Sequence, residues 1–132
     1  MVRINLATEF TDAPGVRSRK LSDFSGQQFR EDFLEPLFKT PSDETIEIDF
    51  TDVLGYPPSF LEESFGGMAR ILNSPKTEWP KKNWDDLSNQ AKVIVENNSS
   101  RSKEELQRIK IVSDDPILHE DIATYIENGD NW

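Results

Sequence analysis

The chain has 132 residues, of which 30% are charged and 35% hydrophobic, so we expect one soluble domain with a real core. Its formal net charge of -10 argues against nucleic acids and anionic membrane surfaces as main partners, because both carry dense negative charge. The absence of cysteine excludes disulfides, thiol catalysis and thiolate metal sites. No apolar run approaches the roughly 20 residues that span a bilayer, and no signal peptide is recognisable, so a cytoplasmic location is expected.

The N-terminal part of the chain predicts two short strands. Apolar residues alternate over residues 2–6, which favours a first strand. Residues 16–21 are predicted to form a second strand, exposed on one side because it carries Arg17, Arg19 and Lys20. This basic group is either a solvated loop surface or a contact for a phosphate or an acidic partner.

A first long helix is predicted to begin at Ser25, which forms a capping box with Gln28. An apolar stripe at helical spacing follows, consisting of Phe29, Phe33, Leu34, Leu37 and Phe38. Pro36 lies inside this stripe and should kink the helix or shorten its last turn, because proline lacks the backbone N–H donor.

The middle of the chain predicts a buried strand, a loop and a second helix. Apolar residues alternate over residues 46–50, as one face of a strand requires. Pro57 and Pro58 exclude continued sheet pairing, and Ser59 is then predicted to be the N-cap, with Glu62 completing a capping box. The buried face of this helix is formed by Leu61, Phe65, Met68 and Leu72.

Two adjacent glycines, Gly66 and Gly67, lie in the middle of this second helix. Together they cost about 2 kcal/mol of helix propensity relative to alanine, so a compensating contact is expected. Close approach of the helix to the sheet is the simplest compensation, and access of a substrate is the alternative.

The last part of the chain predicts an inserted helical segment, a strand and a final helix. Residues 74–104 contain a proline-rich loop, a helix over residues 85–96 and a short turn capped by Ser102. Alternation around Ile109 and Ile111 favours a last strand.

The final helix is predicted to be capped by Asp114 or Asp115, with Pro116 near its first position, and to end at Gly129. Its apolar face consists of Ile117, Leu118, Ile122, Tyr125 and Ile126. Because strands alternate with helices, the fold class is α/β: a small mixed sheet with helices packed on it, in one domain over residues 1–132.

The residues give little sign of catalysis or metal binding. His119 is the only histidine, and no spacing typical of three metal ligands accompanies it. A nucleophile elbow, a phosphate-binding loop and a dinucleotide glycine motif are all missing from the sequence. We therefore expect no enzyme, no cofactor and no metal.

Ser59 has two interpretations. It is either a helix cap only, or a modification site. A phosphate there would meet unpaired backbone N–H groups at a helix start. It would also add nearly two negative charges beside Asp52, Glu62 and Glu63, and so could eject an acidic or apolar partner.

Four stretches of the chain carry a family resemblance: Phe24 to Arg30, Ile46 to Phe50, Ser59 to Gly67, and Ile109 to Pro116. With these, the chain resembles the STAS-like domains, a prokaryotic family of undefined activity related in pattern to anti-sigma factor antagonists. The resemblance covers about residues 1–72 and 105–128.

The resemblance implies a sheet with helices on it and no catalytic activity. It also implies a partner of the histidine-kinase-like ATP-binding class. In the better-known antagonists a serine at the start of the helix after the central strand is phosphorylated by a partner kinase, and Ser59 occupies the corresponding place. The antagonists carry an Asp-Ser-Ser-Gly type sequence there, whereas this chain has Pro57-Pro58-Ser59-Phe60.

These observations predict a non-enzymatic, cytoplasmic interaction domain in a bacterial regulatory pathway. Its docking surface would consist of Tyr56, Ser59, Phe60 and Glu63, with Tyr56 and Phe60 exposed because the core stripe does not need them. The alternative is a small-molecule or nucleotide-binding module in which Arg17 and Arg19, with nearby glycines, contact an anion. A third possibility, an acidic inhibitor that mimics nucleic acid, is disfavoured by the dispersed acids.

Overall fold

A three-stranded parallel sheet forms the centre of the protein in a computed structural model, which describes residues 1–131 and, for Asn98, the backbone only. The strands are β1 (Val2–Asn5), β2 (Ile46–Asp49) and β3 (Ile109–Val112), in the order β1-β2-β3. Both pairings are parallel. The α/β prediction is therefore confirmed, but the prediction of a mixed sheet is wrong.

The sheet has one apolar face and one polar face. Ile4, Ile48 and Ile111 occupy the same level on the three strands, and the first two are buried. Helices cover this face only. On the other face, Arg3 and Lys110 flank Glu47 at one level, and both basic residues are exposed.

The mixed-sheet prediction fails because residues 16–21 form turns and not a strand. The Val16 carbonyl accepts a hydrogen bond from the Gly26 N–H, and the carbonyl of Ser18 accepts from the N–H of Leu21. These backbone groups therefore serve the start of the first long helix and a local turn, so they are not available to a sheet.

The first short helix, α1 (Leu6–Glu9), begins where β1 ends. The side chain of Asn5 caps it by accepting a hydrogen bond of 3.2 Å from the Thr8 N–H. Leu6 was predicted as the end of the strand, but this cap turns the chain into the helix one residue earlier.

Helix α2 covers residues 26–37 and contains a wide turn. It consists of an α-helical part (Gly26–Phe29), a π-helical turn (Arg30–Leu34) and a last α-helical turn (Glu35–Leu37). The predicted cap is confirmed, since the Ser25 side chain accepts a hydrogen bond from the Gln28 N–H. The helix ends one residue after Pro36, as expected for a proline near its end.

Helix α3 covers residues 58–73 and has the same design as α2. An α-helical start (Pro58–Leu61) leads into a π-helical turn (Glu62–Gly66) and an α-helical end (Gly67–Asn73). The two π-helical turns contact each other. π-helical turns are rare in proteins, but those that do occur are often found at functional sites. The contact between two of them makes this part of the molecule a candidate site.

Short helices fill the region between α3 and β3. They are α4 (Lys81–Asp85), α5 (Asn89–Glu96) and three 3-10 turns (Lys76–Glu78, Asn98–Ser100 and Lys103–Arg108). The helix predicted over residues 85–96 begins four residues later, at Asn89, because Ser88 caps it there. The cap at Ser102 is confirmed as a capping box with Glu105.

The last helix, α6 (Pro116–Asn128), agrees with the prediction at both ends. Asp115 is its N-cap, Pro116 is its first residue and Gly129 its C-cap. Leu118 and Ile122 are buried as expected. Ile117 is exposed, which contradicts its predicted place on the apolar face.

The core lies between the apolar face of the sheet and helices α2, α3, α5 and α6. Its aromatic part is a cluster in which Phe29 and Phe60 lie with ring centroids 5.8 Å apart and Phe10 contacts both. Among the helices within residues 1–131, none has the length and apolar character needed to cross a bilayer.

Candidate functional site

The ends of β2 and β3, the loop after β2 and the start of α6 enclose a cavity of about 220 Å³, which we call the edge cavity. Its lining residues are Phe50, Thr51, Val53, Tyr56, Ser113, Asp114, Asp115 and Leu118. Ligands of open parallel sheets bind at the carboxyl ends of the strands, so this is the first place to look for a site.

Tyr56 holds the loop after β2 against the start of α6. Its hydroxyl donates a hydrogen bond of 3.1 Å to an Asp115 carboxylate oxygen, and its ring lies edge-on to Phe50. Burial, together with this hydrogen bond and the charges of Asp115 and Asp121, raises the pKa of Tyr56 to about 12. The predicted site residue Tyr56 is therefore half-buried and neutral at physiological pH.

Ser59 lies two positions further into the helix than predicted. Pro57 is the N-cap, Pro58 is the first helical residue, and no side chain caps this end. The reason is that the ring of Pro58 already has a helical φ, while the residue before a proline prefers an extended backbone. Ser59 is half-exposed and its hydroxyl makes no hydrogen bond within residues 1–131. It therefore remains accessible, but it is not a cap.

Phe60 is fully buried, so its predicted exposure is wrong. With the helix beginning at Pro58, its ring points inward to Phe10 and Phe29 in the aromatic cluster. The predicted apolar stripe of α3 begins at Leu61 and does not include Phe60. The sequence pattern did not predict that α3 buries a second face, on which Phe60 lies.

Glu62 and Glu63 belong to a group of ion pairs at the two π-helical turns. Glu62 accepts hydrogen bonds from Arg17 and from Arg70, the latter at 2.8 Å. Glu63 accepts one from Arg30. Burial alone would raise the pKa of Glu62, but the bonds and charges of Arg70 and Arg17 outweigh it and hold the pKa below its usual value. Glu63, predicted to meet a partner, is largely engaged inside the molecule.

Arg30 and Glu35 form the buried part of this ionic group. The Arg30 Nε donates to a Glu35 oxygen at 2.8 Å, and the Glu35 side chain has no exposed surface. The other Glu35 oxygen accepts from the Ser88 hydroxyl at 2.6 Å and from the Gln90 amide at 3.2 Å. A buried ion pair is tolerated only when its remaining hydrogen-bonding groups are satisfied, and Glu35 meets this condition.

Sequence reasoning missed this pair, and the spacing explains why. Residues five apart do not face each other on an α-helix, where only neighbours three and four apart do. The π-helical turn over Arg30–Leu34 replaces the usual hydrogen bonds by bonds five residues apart, which brings Arg30 and Glu35 together. The sequence offered one weak sign of this pair, which is that Arg30 and Glu35 lie within the apolar stripe of the first long helix.

The predicted anion contacts, Arg17 and Arg19, face carboxylates of this chain. Arg17 pairs with Glu62 as described. Arg19 donates to Glu31 at 2.8 Å and to Asp32 at 3.0 Å. Arg17 lines a cleft, whereas Arg19 ties the loop after α1 to α2.

That cleft has a volume of about 430 Å³ and lies between the loop after α1, the two π-helical turns and α4. We call it the basic cleft. Its lining residues are Arg17, Ser18, Lys20, Gln27, Arg30, Glu63, Lys82, Asn83, Asp86 and Leu87. It shares no lining residue with the edge cavity.

His119 is exposed, and its Nε2 lies 2.9 Å from the Ser113 carbonyl oxygen. Within residues 1–131, no group of three or more histidine or acidic side chains is arranged to hold a metal ion. This histidine therefore serves the connection between β3 and α6.

Comparison with known protein families gives a match to the middle of the chain. Residues 25–74 match the family model described as a STAS-like domain of unknown function; this segment runs from the cap of α2 to the residue after α3. No curated protein and no solved structure matches the chain. The resemblance predicted from the sequence is thus confirmed over residues 25–74, the segment that carries both π-helical turns.

Proposed function

We propose that the protein is a non-enzymatic regulatory interaction domain that binds a protein partner at the carboxyl edge of its sheet. The observation that carries this proposal is the exposure of apolar side chains there. Leu54, in the loop after β2, is 82% exposed, and Ile117, in the first turn of α6, is 62% exposed. Large apolar side chains displayed together beside a cavity are typical of interaction sites.

The elements that display these side chains are held in place. The Leu54 N–H donates to the Asp12 carbonyl at 2.8 Å, and Tyr56 joins the same loop to Asp115. A surface that is ordered before binding loses less conformational entropy when a partner arrives. The docking surface therefore consists of Leu54, Tyr56 and Ile117, with Ser59 close by on the first turn of α3.

We place the partner in the class of ATP-binding, kinase-like proteins, as the family resemblance suggests, and we place regulation at Ser59. The hydroxyl is accessible on the first turn of a continuous helix over residues 58–73. A phosphate there would lie at the positive end of the helix dipole. The helix start offers it few N–H donors, because Pro57 and Pro58 have none and the Phe60 N–H already donates to the Pro57 carbonyl. It would also add almost two negative charges next to the docking surface. Phosphorylation would therefore change which partner binds.

Titration calorimetry with an ATP-binding protein encoded beside this chain tests the docking surface. The native domain should form a complex, and the double variant Leu54→Asp/Ile117→Asp should lose it. The matched control is Val93→Asp, because Val93 is also exposed, at 58%, but lies on α5. The proposal fails if no complex forms with or without nucleotide, or if the double variant binds as well as the control.

Phosphorylation needs a separate experiment. After incubation of the domain with the partner and ATP, mass spectrometry should locate one phosphate on Ser59, and Ser59→Ala should abolish it. A phosphate on any other residue, or an unmodified chain in a mixture where the partner is active, would refute regulation at Ser59 while leaving the docking proposal intact.

A further inference from the structure

The basic cleft differs in charge from the rest of the molecule. The whole chain has 25 acidic against 15 basic residues. The cleft reverses this ratio, since Arg17, Lys20, Arg30 and Lys82 line it against two acids. A concave site lined by one sign of charge concentrates ligands of the opposite sign. The excess of cationic side chains in the basic cleft therefore favours the binding of an anionic ligand.

Arg30 provides a rigid, desolvated floor to this cleft. Its side chain is only 5% exposed, and its Nε and Nη1 donate to Glu35 and Glu63. Its Nη2 makes no hydrogen bond within residues 1–131 and lies 3.6 Å from the nearest Glu31 oxygen. The guanidinium is thus fixed by Glu35 and Glu63, and its third nitrogen makes only a long ion pair with Glu31. Its fork geometry is therefore set before an anion arrives.

The rim of the cleft supplies mobile charge. Lys20 and Lys82 are exposed, and neither makes an ion pair within the described part of the chain. They lie on two different elements, the loop after α1 and α4, and both line the cleft. Charge-assisted hydrogen bonds from ammonium groups to an anion are roughly twice as strong as neutral ones.

Two carboxylates also line the cleft, and they differ in their effect. Glu63 is already bound by Arg30 and lies within ion-pair distance of Arg17 and Arg70. Asp86 is exposed, has no cationic partner within residues 1–131, and opposes an anion. The charge of Asp86 therefore limits the affinity.

From this arrangement we infer that the basic cleft binds the phosphate group of a small phosphate-bearing ligand, with Arg30 Nη2 at its floor and Lys20 and Lys82 at its rim. The volume of about 430 Å³ lies in the range of small-molecule sites, so the ligand is larger than phosphate alone. Leu87 provides an apolar wall for the remainder of the ligand. This site is independent of the docking surface proposed above.

Calorimetric titration at low ionic strength with three probes, inorganic phosphate, pyrophosphate and magnesium-free ATP, tests the inference. At least one probe should bind, and Lys20→Gln/Lys82→Gln should weaken it by about tenfold or more because two charge-assisted bonds are lost. Asp86→Asn should strengthen binding, since it removes the opposing charge. The matched control, Lys39→Gln/Lys110→Gln, removes two exposed lysines elsewhere and should leave the affinity unchanged.

The probes also identify the ligand. Equal affinity for phosphate and ATP indicates a site for a phosphate group only, and tighter binding of ATP indicates that the apolar wall is used. Amide chemical-shift changes should map to residues 17–20 and 82–87. The inference is wrong if none of the probes binds at about 10 mM, which is weaker than any specific site. It is equally wrong if the control variant loses as much affinity as the cleft variant, since binding would then be a general effect of charge.

Discussion

Two serines that have the same local sequence pattern play different roles in this protein. Ser25 and Ser59 are each followed three residues later by a capping-box side chain, Gln28 and Glu62. Ser25 is a buried N-cap, whereas Ser59 is the second residue of its helix. The difference comes from Pro58, which takes the first helical position and moves the cap back to Pro57.

This difference predicts opposite outcomes for two alanine variants. Ser25→Ala should lower the free energy of unfolding by about 1–2 kcal/mol, because a cap hydrogen bond in a buried position is lost. Ser59→Ala should change it by less than about 0.5 kcal/mol, as expected for a surface position without such a bond. Urea unfolding followed by circular dichroism measures both, and an equal loss in the two variants would show that Ser59 caps α3 after all.

Glu62 predicts how stability depends on pH. Its pKa in the folded protein is lowered, so its ionised form stabilises the fold. That contribution is complete above the unfolded value of about 4.3 and is lost as the pH falls through the lower folded value. Glu62→Gln should cost about 1–3 kcal/mol at pH 7 and should show a shallower loss of stability below pH 4.

Denaturant titrations between pH 7 and pH 3 measure this effect. Glu120→Gln is the matched control, since Glu120 is exposed and makes no ion pair within residues 1–131. If the Glu62 and Glu120 variants follow the same pH profile, the ion pairs of Glu62 with Arg17 and Arg70 do not contribute to stability.

At the scale of elements, the two glycines of α3 serve a contact between helices. We predicted that they allow α3 to approach the sheet. A Cβ on Gly66 would instead lie 3.1 Å from the Tyr125 carbonyl of α6, and a Cβ on Gly67 would meet the side chains of Glu63 and Arg30. The glycines therefore let α3 cross α6 closely and leave room for the ion pairs. The predicted close approach is real, but its partner is another helix.

The same crossing makes Gly129 sensitive to substitution. A Cβ there would overlap the Gly66 carbonyl oxygen and lie 2.9 Å from the Ala69 Cβ, and backbone atoms cannot move aside cheaply. Gly129→Ala should lower the free energy of unfolding by about 1–3 kcal/mol through overpacking. Gly55→Ala is the control, because a Cβ at Gly55 meets nothing within 4 Å. Thermal unfolding compares the two, and similar melting temperatures would mean that the helix crossing relaxes without cost.

At the scale of the whole molecule, residues 74–104 take part in the core. Ala91, Ile94 and Val95 of α5 are buried, and Ser88 and Gln90 complete the hydrogen bonds of the buried Glu35. The family match ends at residue 74, and the role of this segment as an insertion stays a prediction. It is nevertheless part of the cooperative structure, because the buried ion pair of α2 depends on it.

A pair of neighbouring variants tests this integration. Ile94→Ala should lower the free energy of unfolding by about 2–4 kcal/mol, as expected for a large-to-small change in a core. Val93→Ala, one residue earlier and exposed, should have an effect below about 0.5 kcal/mol. Urea unfolding distinguishes them. A small effect of Ile94→Ala, or a separate unfolding transition, would show that the segment is a loosely attached addition.

The uncovered face of the sheet is also a property of the whole molecule. Parallel sheets usually have both faces covered, whereas here only one face carries helices. Opposite charges at the same level of neighbouring strands, such as Arg3 and Glu47, 3.9 Å apart at their nearest atoms, keep the open face polar. The alternation of residues 46–50 contained this information, since a strand covered on both faces would be apolar throughout.

The sequence by itself determined the three strands, although it also predicted a strand over residues 16–21 that does not form. It determined the caps at Ser25 and Ser102, narrowed the cap of the last helix to Asp114 or Asp115, and carried the STAS-like resemblance of residues 25–74. These features depend on periodicity and on hydrogen bonds between residues a few positions apart, so the local sequence is enough to predict them. It also placed Tyr56 on the loop after β2 and Ser59 at the start of the helix that follows, although Ser59 is not the cap that was predicted.

Only the tertiary structure decided the burial of Phe60, the parallel sheet, the contact between the π-helical turns and the basic cleft. Each of these rests on residues distant in sequence, such as Arg30 with Glu63 or Lys20 with Lys82. Which of many possible partners a charged or apolar side chain meets depends on how the helices cross, and no local pattern contains that geometry.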